Sequence, residues 1–424
     1  MVARPDPQRL TRRGTPRAGL GANYRRLWWA SAASNLADGV FRVALPLLAL
    51  RLTRSPAAVA GLVVAARLPW LLFALHAGAL ADRLDRRRTM TLVNVGRGIL
   101  IGSLAVLVWA DAVTMPLLFV VAFALGIGET LFDTAAQSMM PSVVDREQLG
   151  RANGRLYALE LTMNQFIGPP LGGVVAGAAI AWAFLGSGAA YLLAAGSLVL
   201  MSGSFRTARD AEATRLRADI VQGLRHLWNH RLLRTLALMV GGMNLISSGI
   251  DALLPIFAVQ PGPLGLSEAG YGVLWAVGGI GSVIGGLAAD RVARIVGRSR
   301  LLLINPLIAA LIPATLALTS SPIVVGLAFI AVGASSLIWN VLTVSLRQAI
   351  VPDHLLGRVN SGYRLLAWGT MPLGAAIAGF GAELIGACGV FALSAVASIL
   401  LTLPLIRLTD ATIEAAEADS IQAS

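Results

Sequence analysis

Lysine is absent: all 34 basic side chains of the 424-residue chain are Arg. A Walker A loop ends in G-K-[ST], so the chain cannot by itself drive work with ATP. A Schiff-base Lys is excluded in the same way. Cysteine occurs once, at Cys388, which permits neither an internal disulfide nor a thiolate metal cluster. Its apolar neighbours suggest a buried, inert thiol. His226 and His230 are spaced i,i+4 but have no third ligand, so no metal site is expected. No G-x-G-x-x-G follows a strand, and neither a nucleotide nor any other cofactor is expected. Charged residues make up only 13% of the chain, against about 25% in soluble domains. The first 26 residues contain no apolar core, so a cleaved signal peptide is not expected.

What fills the chain instead is apolar: 56% of residues are hydrophobic and the mean hydropathy is +0.73. These residues form blocks of about 20, the length that crosses ~30 Å of hydrocarbon. Twelve spans are expected, at 27–51, 57–80, 89–110, 115–139, 153–178, 181–204, 232–258, 268–289, 300–319, 322–346, 361–386 and 388–407. Arg is concentrated in the N-terminal tail, in alternate connections and in the central stretch, while the other connections carry only Arg51 and Arg54. Positive-inside asymmetry then puts both termini and the central loop in the cytoplasm, and explains the net charge of +12 without nucleic acid. The expected organisation is a basic tail (1–26), a six-helix bundle (27–204), a linker (205–231), a second six-helix bundle (232–407) and an acidic tail (408–424). In the linker, Ile220, Leu224, Leu227 and Trp228 beside Arg217, Arg225 and Arg231 read as an amphipathic helix on the inner membrane surface. The acidic tail reads as a solvated end without function.

The chain also repeats itself. Gly78-x-x-x-Asp82-Arg83 recurs 208 positions later as Gly286-x-x-x-Asp290-Arg291. Leu149-Gly150-Arg151-x-Asn153 recurs as Leu356-Gly357-Arg358-x-Asn360, and Pro170-Leu171-Gly172-Gly173 as Pro372-Leu373-Gly374-Ala375. Three echoes in one order describe two six-helix pseudo-repeats. Twelve spans, this repeat and G-x-x-x-D-R after spans two and eight resemble the major facilitator superfamily of secondary transporters. Its loop motif, G-x-x-x-D-R-x-G-R-R, is matched from Gly78 through Arg86 and Arg87, with Asp85 in place of the second Gly. The resemblance implies a two-lobed, all-α membrane protein with a central cavity opening alternately to each side. Closer similarity points to the branch of drug, macrolide and catecholate-siderophore exporters. It rests on Gly126-Ile-Gly-Glu129-Thr-Leu-Phe-Asp133 in span four and on Gly168-Pro169-Pro170-Leu-Gly172-Gly173 in span five, which resembles the exporters' antiporter motif and is expected to bend that helix. Drug antiporters often place an Arg where this chain has Ala122, so their usual proton relay is not assured here.

Charges inside apolar spans are the informative residues, since each costs a few kcal/mol or more unless paired or solvated. Asp38 and Arg42 lie i,i+4 on span one: either an internal ion pair, or a cavity carboxylate for a proton or a cationic substrate with Arg42 tuning it. Glu129 and Asp133 share a face of span four, and two such close carboxylates do not both ionise easily. They are a candidate proton site, unless Arg67 and Arg97 neutralise them structurally or Asp133 serves an inner gate. Glu160 and Asp251 complete five embedded acids against three Arg, a surplus that suggests titration. Span-ten Ser336 and Asn340 stand where Glu129 and Asp133 would repeat, so coupling chemistry belongs mainly to the N-terminal half. Asn244 and Trp339 are weaker candidates for substrate contact. Asp82, Arg83, Arg86 and Arg87, with Asp290 and Arg291, are expected to hold the cytoplasmic side shut, and the span-eight glycines, among them Gly286, to allow close helix packing.

The expectation is a non-enzymatic, proton-coupled exporter of hydrophobic or amphipathic small molecules such as antibiotics, functional as a monomer in the bacterial plasma (inner) membrane. Its partners are the substrate, protons and the lipid bilayer. The alternatives are export of a siderophore or other metabolite, an importer or uniporter on the same fold, or a receptor without transport.

Overall fold

The computed structural model describes residues 20–145, 148–203, 205, 216–406 and 408–415; for 74–83, 137, 216–221, 353–354, 356–357 and 361 it describes the backbone alone. The expected basic tail thus lies mostly outside the described residues, as do Arg206, Arg209 and Arg215 of the linker and the tail beyond 415. The described chain is all-helical: α1 Gly21–Leu52, α2 Pro56–Arg83, α3 Arg86–Trp109, α4 Met115–Val143, α5 Leu149–Leu161, α6 Gly168–Val199, α7 Leu216–Asn229, α8 Arg231–Ala258, α9 Glu268–Val296, α10 Arg298–Ala309, α11 Leu311–Leu318, α12 Pro322–Ile350 and α13 Asp353–Leu400. Ten helical stretches among the described residues are long and apolar enough to cross a membrane, making this a multi-pass membrane protein. Large apolar side chains such as Leu193, Leu287, Leu318 and Leu384 stand exposed on the outside of the bundle, where hydrocarbon rather than water is their solvent.

Two of the ten stretches change direction internally. Ala179, at φ −163° and ψ 111°, interrupts α6, and Gly386, at φ +74°, interrupts α13. The second break needs the left-handed backbone region that glycine enters without a Cβ clash. The expected boundaries after 178 and 386 fall at these interruptions.

Two sets of helices emerge. α1 and α3 pack on α6, and α2 and α3 on α4; α13 packs on α8 and α11, and α12 on α9 and α10. The sets meet where α2 touches α13 and α8, and where α6 touches α9. Small residues permit the closest approaches. A Cβ on Gly172 would stand 2.7 Å from the Val40 carbonyl oxygen, and one on Gly173 would stand 2.5 Å from that of Glu268. Glycine at 281 and 285 likewise brings α9 against the α12 backbone at Ile330 and Ala334.

Helix ends show what the sequence pattern chose. Asp85, where the family motif has Gly, caps α3: its Oδ1 accepts from the Arg88 N–H at 3.0 Å. Ser267 caps α9, accepting from the Gly270 N–H at 3.1 Å.

Three expectations need correcting. Cys388 is exposed, not buried. The apolar face of α7 is covered by protein: Leu227 is fully buried among Leu232, Leu233 and Leu346, and the Arg358 Nη1 donates to Gln222 Oε1 at 2.5 Å. Among the described side chains of that face, Trp228 stands out, half-exposed. The described first part of the acidic tail, 408–415, is also bound: Ile413 is buried, and Asp410 Oδ1 accepts from the Ser299 N–H at 2.8 Å at the start of α10.

Candidate functional site: a charged cavity between the helix sets

The embedded charges converge because five helices bring them there. A chamber of about 160 Å³ is lined by Asp38 and Arg42 of α1, Arg67 of α2, Arg97 of α3, Glu129 of α4 and Asp251 of α8. Leu45, Leu62, Leu125 and Tyr271 supply apolar walls. A second chamber, of about 310 Å³, lies in the second helix set and shares Arg42, Ser247, Asp251 and Trp275 with the first. Its other walls mix apolar and aromatic residues (Ile250, Phe329, Val332) with uncharged polar ones (Gln165, Asn244, Ser282, Ser336).

Asp38 pairs with Arg97 of α3 rather than with Arg42 on its own helix face. Tyr191 of α6 completes the cluster, donating its hydroxyl to Asp38 Oδ1 at 2.6 Å and accepting from Arg97 Nη2 at 2.9 Å. The Arg97 guanidinium also lies over the Tyr191 ring, 4.2 Å from its centroid, and Nη1 reaches Ser34 Oγ at 3.4 Å. Arg97 is 4% exposed, so the pair exists in a low-dielectric setting where every additional hydrogen bond offsets desolvation. Gly128 makes room for it: a Cβ there would sit 2.8 Å from Arg97 Cδ.

Glu129 has a looser partner, Arg67, at 4.0 Å. Asp133, one turn further along α4, is half-buried and outside the lining of both chambers. Glu160 on α5 is similarly placed off the chambers. Arg42 and Asp251 line both chambers, and neither holds an ion pair or hydrogen bond among the described residues. Asn244 reaches the second chamber while donating to the Ala367 carbonyl at 2.6 Å, whereas Trp339 is buried in packing around α8.

The gate candidates separate. Gly78, Asp82 and Arg83 lie outside the residues whose side chains are described. Arg86 reaches Ser142 Oγ at 3.5 Å and Arg87 donates to the Met201 carbonyl at 2.5 Å, both within the first helix set. Asp290 and Arg291 are exposed, and Gly286 packs against Leu337. Pro169 and Pro170 open α6, and a π-helical turn at Thr162–Ile167 precedes them. At Gly168 a Cβ would meet the Gly39 Cα at 2.6 Å.

A clasp at the opposite end was not expected. Arg51 donates to Glu268 Oε1 at 3.0 Å, Arg54 to the Gln260 carbonyl at 3.0 Å, and Ser55 to Glu383 Oε1 at 2.6 Å. Each contact joins the two helix sets. The signal was present: Arg51 and Arg54 were the exceptions to the Arg asymmetry. Tyr191 was also missed, although a phenol in the middle of an apolar span needs a polar partner.

The comparisons with known proteins agree with this architecture. The multidrug efflux pump Tap of Mycolicibacterium fortuitum is 28% identical over 404 residues, covering 90% of this chain and 92% of its own. The enterobactin exporter EntS of Salmonella typhi is 25% identical over 342 residues, covering 80% of each chain. Among solved structures, the nucleoside transporter NupG superposes with a TM-score of 0.72 at 12% identity, over 91% of this chain and 99% of its own, which speaks for the fold alone. The transmembrane secretion effector family model matches residues 18–424. The chain therefore belongs to the transmembrane secretion effector family of the major facilitator superfamily, as a multi-pass, non-enzymatic transporter that moves small molecules across the bacterial inner membrane.

Proposed function

We propose that the chain is a proton-coupled exporter of amphipathic small molecules, antibiotics among them, working as a monomer of twelve spans in two six-helix halves with both termini cytoplasmic. Counting α6 and α13 as two spans each, at Ala179 and Gly386, turns ten stretches into twelve. The Arg asymmetry puts the clasp of Arg51, Arg54 and Glu383 outside, so this conformation is shut to the exterior. The observation that carries the coupling is Glu129: a cavity-lining carboxylate one turn from Asp133, whose one ion-pair partner among the described residues is Arg67 at 4.0 Å. An acid with one loose partner can exchange it for a proton as the halves rock; Asp38, held by Arg97, Tyr191 and a buried network, is the anchor instead. Asp133, near the inner end of α4, hands the proton on, and Glu160 stands aside. Both exporters named above are efflux proteins, which favours outward transport.

Proton release from purified protein on addition of candidate drugs tests this. Release is expected from the wild type and from Asp38→Asn if it folds, and is lost in Glu129→Gln. Drug binding without release in the wild type would remove proton coupling. Export of an anionic metabolite is a second reading, favoured by Arg42 at the cavity wall, which has no ion-pair partner among the described residues.

A further inference from the structure

Four of the six charged side chains lining the first chamber neutralise each other, Asp38 with Arg97 and Glu129 with Arg67. Among the described residues one charge of each sign has neither a hydrogen-bond nor an ion-pair partner: the Arg42 guanidinium on α1 and the Asp251 carboxylate on α8, both lining the chamber. They come from opposite helix sets, line both chambers at their junction, and are not in ion-pair contact with each other. Ser247 and the Trp275 indole share that junction. Beyond it, no further charged residue lines the second chamber.

The geometry points to a binding site at this junction for the zwitterionic head of an amphiphile, its anionic group on Arg42, its cationic group on Asp251 and its apolar body in the second chamber. This deepens the substrate reading above and rests on the cavity being the substrate's path. A single cation would satisfy Asp251 but leave the guanidinium without an anion in a partly desolvated wall; a single anion would do the reverse. Asp251 is exposed to the chamber and Arg42 is half-buried, so a head carrying both signs gains a charge contact at each pole where a singly charged head gains one. A charge-assisted hydrogen bond from Arg42 to the anionic group and charge attraction between Asp251 and the cationic group supply the affinity, and Trp275 offers the cationic group an aromatic face. The uncharged polar groups of the second chamber, Asn244, Ser282 and Ser336, suit ether, hydroxyl or carbonyl groups along an apolar body.

Calorimetric titration of the nanodisc-embedded full chain tests the site, with empty nanodiscs as the blank. The probes share a hexyl chain and differ in head: a hexyl sulfobetaine, hexyltrimethylammonium and hexyl sulfate. The wild type is expected to bind the sulfobetaine tighter than either singly charged probe by about tenfold or more, as one additional close charge pair supplies. Asp251→Asn should bring the sulfobetaine down to the hexyl sulfate level while hexyl sulfate still binds. Arg42→Gln should bring it to the hexyltrimethylammonium level while that cation still binds. The retained probe in each variant reports that the cavity is still folded. Equal affinity for all three heads in the wild type would overturn the proposal, as would either substitution weakening all three probes alike. Discrimination without any drug-induced proton release would leave the site standing and sink the coupling instead.

Discussion

The clasp makes a quantitative demand on the conformational equilibrium. Arg51 and Glu268 join the helix sets at 3.0 Å with side-chain exposures of 47% and 23%, so water screens them partly. An ion pair of this kind contributes about 0.2–1 kcal/mol. Glu268→Gln removes the charge while keeping an acceptor, so the ratio of clasped to open molecules should fall by about 1.4- to 5-fold. Cys388→Ser leaves no cysteine, and new cysteines at Ala112 and Ser320, both exposed in loops at this end, carry spin labels on the two halves. Double electron–electron resonance then reads the two populations as two distances. The long-distance fraction should rise in Glu268→Gln and in Arg51→Gln, and the double substitution should add little beyond either. The exchanged pair, Arg51→Glu with Glu268→Arg, should recover much of the short-distance fraction. Fully additive effects of the two single changes would refute the coupling, because residues that act through one bond cannot each lose it separately.

Arg97→Gln strips a buried carboxylate of its partner and should destabilise the fold by about 3–5 kcal/mol, read as a large fall in thermal unfolding temperature in detergent. Asp38→Asn keeps an acceptor for Tyr191 but strands the more deeply buried Arg97 guanidinium, and should cost a similar amount. Gly173→Ala places a methyl 2.5 Å from the Glu268 carbonyl oxygen and 3.0 Å from the Gly272 Cα. An overpacking cost of about 1–3 kcal/mol then falls on the clasped state alone, and the same spin-label distances should lengthen. Asp410→Ala removes the cap on α10 and should loosen that helix start by about 1 kcal/mol, visible as faster amide exchange at Ser299 and Arg300 with the rest of the protein unchanged.

The spans were readable because the bilayer imposes length and hydropathy on any helix that crosses it. Breaks expected after 178 and after 386 fall at Ala179 and Gly386. Periodicity could place Asp38 and Arg42 on one face, but it sees only neighbours on a single helix. The true partner of Asp38 is Arg97, 59 positions away, and nothing local encodes that meeting. Cys388 shows another limit: lipid is as apolar as a protein core, so an apolar neighbourhood does not distinguish inside from outside. The tail was misread because four acids looked solvated, while the one that matters, Asp410, caps a helix end and Ile413 fills a gap. The cavity's charges were found as a list, and their sorting into pairs and open groups needed three dimensions.

Because α7 is packed against α13 and contributes Leu227 to the second half's core, it belongs mechanically to that half. The covalent link between the two helix sets is then only the stretch between Phe205 and Leu216, not the whole run to Arg231. A gene divided there, with α7 encoded at the head of the second fragment, should yield two polypeptides that reassemble in one membrane. A division after Asn229 would strand the helix on the wrong piece and uncover Leu227. The place at which this transporter tolerates being cut is thus dictated by which partner its linker helix chose.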